Sequence, residues 1–420
     1  MKAVGIIAEY NPFHNGHLWH LEQARAVTGH PAAVAVMSGS FVQRGEPALF
    51  DKWARAEMAV CSGVDLVLEL PVVFAVRSAE NFATAGIRLL GALGVVDAVA
   101  FGAEQPDVSQ LTALAKAIDE EETIDLLKLE LDAGRPYAAA MGKALGRRTG
   151  LAAEIIAAPN NILAVEYIRA ILRFAPGLNP VPISRRSAGY HDTAVAGPIA
   201  SATAIRQELQ RGPEGAARIS QALPAASAAL VEALVRDGRG PVFFRDFDQM
   251  VLARLRTASL PELEQLPDMS EGLHHKIKDA VLKASTLEEL LSRIKSKRYS
   301  HTRLQRLVIH ALLGSRKDRL AGFDKTGPLY ARVLAFNDRG RTLLRQMRSK
   351  SAIPVITKTT RFLSSTGRAA DRLSLLEEML AADTLATDLY VLAWPNPGMR
   401  RGGLDFRTSP LYLPSQPASV

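Results

Sequence analysis

The sequence predicts an α/β fold: a Rossmann-like parallel sheet in the first half, followed by a mainly helical, basic C-terminal region. Short continuous apolar runs recur at Val4 to Ala8, Ala33 to Met37, Leu66 to Leu70 and Ala98 to Phe101, the pattern of strands buried on both faces. Helical stretches at residues 17–27, 51–62 and 79–92 stand between them, as parallel strands joined by crossover helices require. Charge is also divided: residues 1–200 hold 17 Lys and Arg against 21 Asp and Glu, and residues 201–420 hold 34 against 22, so a half at −4 is followed by one at +12.

The first strand opens into Glu9-Tyr10-Asn11-Pro12-Phe13 and then His14-Asn15-Gly16-His17, the start of a helical pattern. A helix that begins at a strand's carboxyl end offers unpaired N–H groups and a positive dipole end, a ready seat for phosphate. Two imidazoles three residues apart across that start face one way, and Gly16 lets the backbone approach a ligand. The later strands end in Ser38-Gly39-Ser40, Glu69-Leu70-Pro71 and Gly102-Ala103-Glu104. In an open α/β sheet these carboxyl ends converge on one crevice. Arg44, Lys52 and Arg55 follow the second strand, with two readings open: contacts to a leaving group or RNA phosphate, or a helix's solvated face. Asp65 and Glu69 flank the third strand as structural caps or as catalytic groups.

Residues 107–150 read as helical and acidic, with Asp119 to Glu122 a solvated face. Pro159-Asn160-Asn161-Ile162-Leu163 opens a helix running to Leu172, and Pro182 to Arg186, Gly189 to Asp192 and Ile199 to Arg206 follow. The last has the look of a helix N-cap, Ser or Thr before an apolar-periodic run. Arg211 to Gly215 is the expected hinge, dividing the chain into 1–210 and 211–420. Beyond it, Lys276, Lys278, Lys283, Arg293, Lys295, Lys297, Arg298, Arg303 and Arg306 form a basic cluster, suited to a polyanion through counterion release. A short strand is expected at Ile353 to Ile356, a helix at 370–393 and an irregular end from Pro395.

Composition excludes several classes. Hydrophobic content of 48% with 22% charged residues is ordinary for a globular protein, and no apolar stretch approaches a membrane span. The start lacks a basic leader with a cleavage site, so a cytosolic protein is expected. Cys61 is the single cysteine, which rules out an intramolecular disulfide and a Cys-based zinc site. A zinc site on His14 and His17 lacks a third ligand of suitable spacing, and no protein metal site is expected.

The segments Gly5 to His17, Met37-Ser38-Gly39, Gln43 to Ala48, Lys52-Trp53-Ala54-Arg55 and Gly63 to Pro71 together resemble the bacterial tRNA(Met) cytidine acetate ligase family. The likeness continues through Phe101 to Glu104, Pro159 to Leu163, Arg185 with Tyr190-His191-Asp192, Ser201 to Arg206, Ser296 to Arg306 and Tyr330 to Arg341. The resemblance implies a Rossmann-like HxGH nucleotidyltransferase domain that makes acetyl-adenylate from acetate and ATP. The acetyl group then passes to N4 of the wobble cytidine of elongator tRNA(Met). Carried onto this chain, the ATP site is Ile7, Ala8, Glu9, Tyr10, Asn11, Pro12, Phe13, His14, Asn15, Gly16, His17, Leu18, Trp19 and His20 with Gly102, Asn161 and Arg185. Asn160 and Arg186 are one-position alternatives; Arg185 is preferred because it stands five residues before Tyr190-His191-Asp192. His14 and His17 are the expected catalytic residues, with Mg2+ carried on the phosphates. Lys295, Lys297, Arg298, Arg303 and Arg306 are the expected tRNA contacts. Two rivals remain: a small-molecule adenylyltransferase of the HxGH superfamily, and a non-catalytic RNA-binding protein with a vestigial nucleotide site.

Overall fold

The computed structural model describes residues 1–135, 137–151, 153–185, 197–270, 272–296 and 299–414. Eight strands form one sheet: β1 (Ala3–Ala8), β2 (Ala32–Ser38), β3 (Leu66–Leu70), β4 (Val96–Ala103), β5 (Asn179–Ser184), β6 (Ala331–Phe336), β7 (Val355–Ile356) and β8 (Leu411–Tyr412). The helices that matter below are α1 (Asn15–Thr28), α2 (Lys52–Cys61), α3 (Ala79–Ala92), α4 (Pro159–Phe174), α5 (Ala202–Leu209), α6 (Ala225–Asp237), α7 (His301–Leu313), α8 (Asp338–Lys350) and α9 (Leu375–Val391).

The strand order is β5-β4-β1-β2-β3-β6-β7, with β8 also on β6. Strands β1 to β5 pair in parallel, as expected. The chain moves outward through β2 and β3, then crosses back to place β4 on the other side of β1. The switch point between β1 and β4 is where a doubly wound sheet leaves a crevice. Alternate strand residues enter different cores. Val34, Val36 and Leu68 join α3, α4 and much of residues 247–391 on one face, while Val4, Ile6 and Met37 join α1, α2 and residues 205–234 on the other. Contact between α3 and β1 is close: a Cβ at Gly86 would lie 2.5 Å from Ile7 Cδ1, and one at Gly5 would lie 2.8 Å from Leu90.

The sheet extends past the expected hinge. Strand β6 adds antiparallel to β3, pairing Leu66 with Phe336 and Glu69 with Arg332, and β7 and β8 pair with β6. Residues beyond 330 therefore complete the sheet, while most of the region after 210 is helical as expected. The strand at Val355–Ile356 falls within the expected 353–356 segment. None of the described helices is long and apolar enough to cross a membrane.

Candidate active site

The turn from β1 to α1 is built by its own residues. Tyr10 takes a left-handed φ of 46°, unusual outside glycine, and its ring lies 4.8 Å from Phe13 and 5.0 Å from His17. Asn11 is buried, and its Oδ1 accepts a hydrogen bond from the Leu49 N–H at 2.7 Å. Arg55, fully buried, donates to the carbonyls of Glu9 and Ser38 at 2.6 and 3.0 Å and also to Gly39. The carboxyl ends of β1 and β2 are thereby tied together by one guanidinium. Arg55 is structural, not a ligand contact.

His14 is the N-cap of α1. Its Nδ1 accepts from the Gly16 N–H at 3.0 Å, and His17 Nδ1 accepts from the His14 N–H at 3.2 Å. These two bonds satisfy N-terminal donors reciprocally, as a capping box does. They also settle the tautomers: an Nδ1 that accepts leaves the proton on Nε2. The rings stack with centroids 3.7 Å apart and planes 20° apart. A Cβ at Gly16 would meet His14 Cε1 at 2.9 Å and Nδ1 at 3.0 Å, so glycine here makes room for the ring.

Charge around the pair is positive while the imidazoles are neutral. Burial, then Arg185 and Arg206, push the His14 pKa down to about 3. Burial, His14, His20 and Arg185 lower His17, and burial with Arg185 brings His20 to about 4. Burial raises the Glu9 carboxyl despite its hydrogen bond from the Gln43 N–H at 3.0 Å and the charges of Arg206 and Arg44. Two arginines, two neutral N–H donors and the start of α1 form a cradle suited to a polyphosphate.

The later strand ends complete it. Arg185 follows β5 with its amide on the Ala103 carbonyl at 3.3 Å, and its side chain crosses Gly102, where a Cβ would lie 3.3 Å from Arg185 Cγ. Asn160 Oδ1 accepts from Arg185 Nη1. Asn161 is 1% exposed and committed elsewhere: its Oδ1 accepts from the Glu104 and Gln105 amides at 3.0 and 3.3 Å, and its Nδ2 donates to the Ile155 carbonyl at 2.9 Å. Asn160 thus positions Arg185, and Asn161 shapes the loop after β4. Arg206, on α5 behind the Ser201 cap, carries no motif of its own in the sequence; its electrostatic reach to both Glu9 and His14 marks it. Asn15 Nδ2 donates to the Pro198 and Gln221 carbonyls at 2.7 and 3.0 Å, tying α1 to the segments flanking α5. Ile7 and Ala8 end β1, Pro12 precedes Phe13 in the turn, and Leu18 and Trp19 are half-buried on α1.

Lys52, Asp65 and Glu69 are structural. Lys52 Nζ, wholly buried, donates to both Glu69 oxygens at 2.8 and 2.9 Å and to Asp405 at 2.6 Å, and Arg332 pairs with the same two carboxylates. Asp65 accepts from Arg25, the Ala33 amide and Asn337. Of the expected tRNA contacts, Lys295 is exposed. Arg303 donates to the Asp268 carbonyl at 2.8 Å and to Ser270 Oγ, and Arg306, 9% exposed, pairs with Asp268 at 3.1 Å. These two guanidinium groups hold the 268–270 turn instead of standing free on a helix face. Lys297, Arg298, Arg186 and Tyr190-His191-Asp192 lie outside the described residues. Among the described residues, no group of three His, Cys, Asp or Glu could hold a metal ion.

Residues 1–403 match the model of the HIGH Nucleotidyl Transferase family. The tRNA(Met) cytidine acetate ligase of Acetivibrio thermocellus is 39% identical over 416 residues, 97% of this chain and 98% of that protein. That of Syntrophomonas wolfei is 40% identical over 417 residues, 98% and 99% of the two chains. Two crystal structures of Thermotoga maritima TmcAL, one bound with alpha-thio ATP and one apo, align with TM-scores of 0.89 and 0.91 at 34% identity, covering 99% of this chain and 100% of theirs. The chain belongs to the tRNA(Met) cytidine acetate ligase family, within the HIGH nucleotidyl transferases.

Proposed function

We propose that this protein activates acetate with ATP and transfers the acetyl group to N4 of the wobble cytidine of elongator tRNA(Met), forming N4-acetylcytidine in the cytoplasm. The observation that carries it is the stacked His14–His17 pair, each ring fixed with its proton on Nε2, beside Arg185 and Arg206. The likeness to ligases over the whole chain, and to TmcAL bound with alpha-thio ATP, supports ATP as the nucleotide.

An acetate oxygen attacks the α-phosphorus, the bond to the bridging oxygen breaks, and pyrophosphate leaves. Charge builds on the nonbridging oxygens in that step, where preorganised donors act most strongly. His14 and His17 Nε2–H groups supply them without a prior deprotonation. Arg185, braced by Asn160, would hold the β and γ phosphates. Mg2+ bound to those phosphates would neutralise further charge; it needs few protein ligands, in keeping with the single carboxylate, Glu9, on the cradle's turn. The cytidine N4 then attacks the acetyl carbonyl carbon, AMP departs, and the N4 proton passes to water. No covalent enzyme intermediate is required.

Acetate-dependent exchange of labelled pyrophosphate into ATP, without tRNA, isolates the first step. The wild type should catalyse it, and His14→Ala or His17→Ala should lower it about 10²-fold or more, the usual loss on removing one such donor. Exchange that does not depend on acetate would refute the reading.

A further inference from the structure

We propose that a second cleft, apart from the histidine cradle, binds an unstacked nucleotide of the RNA acceptor. This rests on the acetyl-transfer reading above. The cleft lies between the first turns of α2, the last turns of α6 and residues 394–411, and encloses about 720 Å³. That is within the ~300–1,000 Å³ of small-molecule sites. No residue of the His14 cradle lines it.

Trp53, Leu230, Leu234 and Trp394 are among its apolar residues, and its charged groups are Glu57, Asp237, Arg239, Arg401 and Arg407. Glu57 makes no hydrogen bond or ion pair among the described residues, and Arg239 lies close enough to act on its charge. Arg239 is itself fixed, paired with Asp51 at 2.7 Å and placed 5.4 Å over the Trp394 ring. An unpaired acceptor beside an anchored donor, on an apolar wall, complements a base edge that carries an exocyclic amine next to a ring acceptor. Exposed Arg401 and Arg407 stand at the rim, where the nucleotide's phosphate would lie. Apolar faces for the base, edge contacts and arginine for the backbone are the means by which single-stranded RNA is read. Three arginines, Arg239, Arg401 and Arg407, against Glu57 and Asp237 leave the cleft with a net positive charge, which favours RNA over an acidic peptide that offers no planar edge for Glu57.

The 394–411 wall is anchored from beneath. Asp405, between Leu404 and Arg407 of the cleft, reaches Lys52 Nζ at 2.6 Å and Arg332, and the Gly403 amide donates to Asp388 at 2.6 Å. Buried charge pairs add little net stability against apolar replacements. Here they fix one wall of a binding site, so less order is lost on binding.

The test uses the full-length enzyme and tRNA. Glu57→Gln and Arg401→Ala should each raise the KM for tRNA about tenfold, the worth of one charged hydrogen bond, and leave acetate-dependent pyrophosphate exchange unchanged. In a Trp19→Phe background, which leaves only the cleft's Trp53 and Trp394, tRNA should quench tryptophan emission, and polyglutamate should not. Arg401 is exposed, so its replacement reads binding and not folding. An unchanged KM in both variants, or equal quenching by polyglutamate, would overturn the cleft assignment while leaving the exchange reaction intact. No exchange in the wild type would instead overturn the function on which it rests.

Discussion

Replacing Gly16 by alanine separates the cradle's geometry from its stability. The new Cβ would lie 2.9 Å from His14 Cε1 and 3.0 Å from its Nδ1, whereas carbon contacts are comfortable near ~3.5 Å. The ring must give by roughly 0.5 Å to relieve that contact. It has little freedom to do so: its Nδ1 is bound to the Gly16 amide and its face rests on His17 at 3.7 Å. Loss of the cap costs about 1 kcal/mol, and alanine in place of glycine near a helix start returns up to about 1 kcal/mol. The melting temperature should therefore change little. Catalysis has no such compensation, because displacement by a fraction of an ångström at a positioning group costs about 10- to 100-fold. Pyrophosphate exchange and thermal unfolding, measured on the same preparation, give both quantities. Activity within twofold of wild type, with an unchanged melting temperature, would refute the claim that Gly16 places the His14 ring.

Three further outcomes rest on contacts elsewhere in the fold. Asn160→Ala should raise the KM for ATP, since it frees Arg185, and Arg185→Ala should do so more strongly, by about tenfold for one lost charged hydrogen bond; steady-state kinetics decide. Lys52→Met should cost about 3–5 kcal/mol, because Glu69 and Asp405 remain buried with Arg332 as their shared partner; denaturant unfolding measures it. Acid should destabilise the protein below pH 6.5. Burial holds His14 and His310 near 3 and His20 near 4 in the folded state, below the unfolded value, so the unfolded chain binds more protons as pH falls from 6.5 toward those values. The stability present at neutral pH is lost across that window, by at most about 1.4 kcal/mol per pH unit for a buried histidine. His310→Leu should flatten the slope, and an unchanged slope would contradict it.

Much of the fold is legible in the chain because its strands are buried on both faces and so appear as unbroken apolar runs. The expected Leu66 to Leu70 strand is observed with those bounds, and the helix at 79–92 likewise. Strand β5 does not announce itself in sequence: Pro180 and Pro182 remove ladder donors, which is tolerated at the sheet edge it occupies. Strand β6 pairs with β3 across more than 260 residues of sequence, and no local pattern announces such a partner. At the site, the H-x-G-H motif points to the phosphate cradle because its chemistry is local. The fates of Arg55 and Lys52 depended on what surrounds them. Both look like a helix's charged face in sequence, yet both are wholly buried, Arg55 closing two strand ends and Lys52 joining Glu69 to Asp405. Arg206 acts through space from a later helix, so spacing alone does not reveal it.

The most direct measurement follows carbon-labelled acetate from ATP-dependent activation into RNA. The enzyme is incubated with ATP, labelled acetate and total tRNA, and the nucleosides are resolved by mass spectrometry. Label in N4-acetylcytidine at the wobble position of elongator tRNA(Met), with AMP and pyrophosphate formed in step and the signal lost in His14→Ala, is the predicted result. Label in another acceptor, or transfer that continues without His14 and His17, would contradict the account.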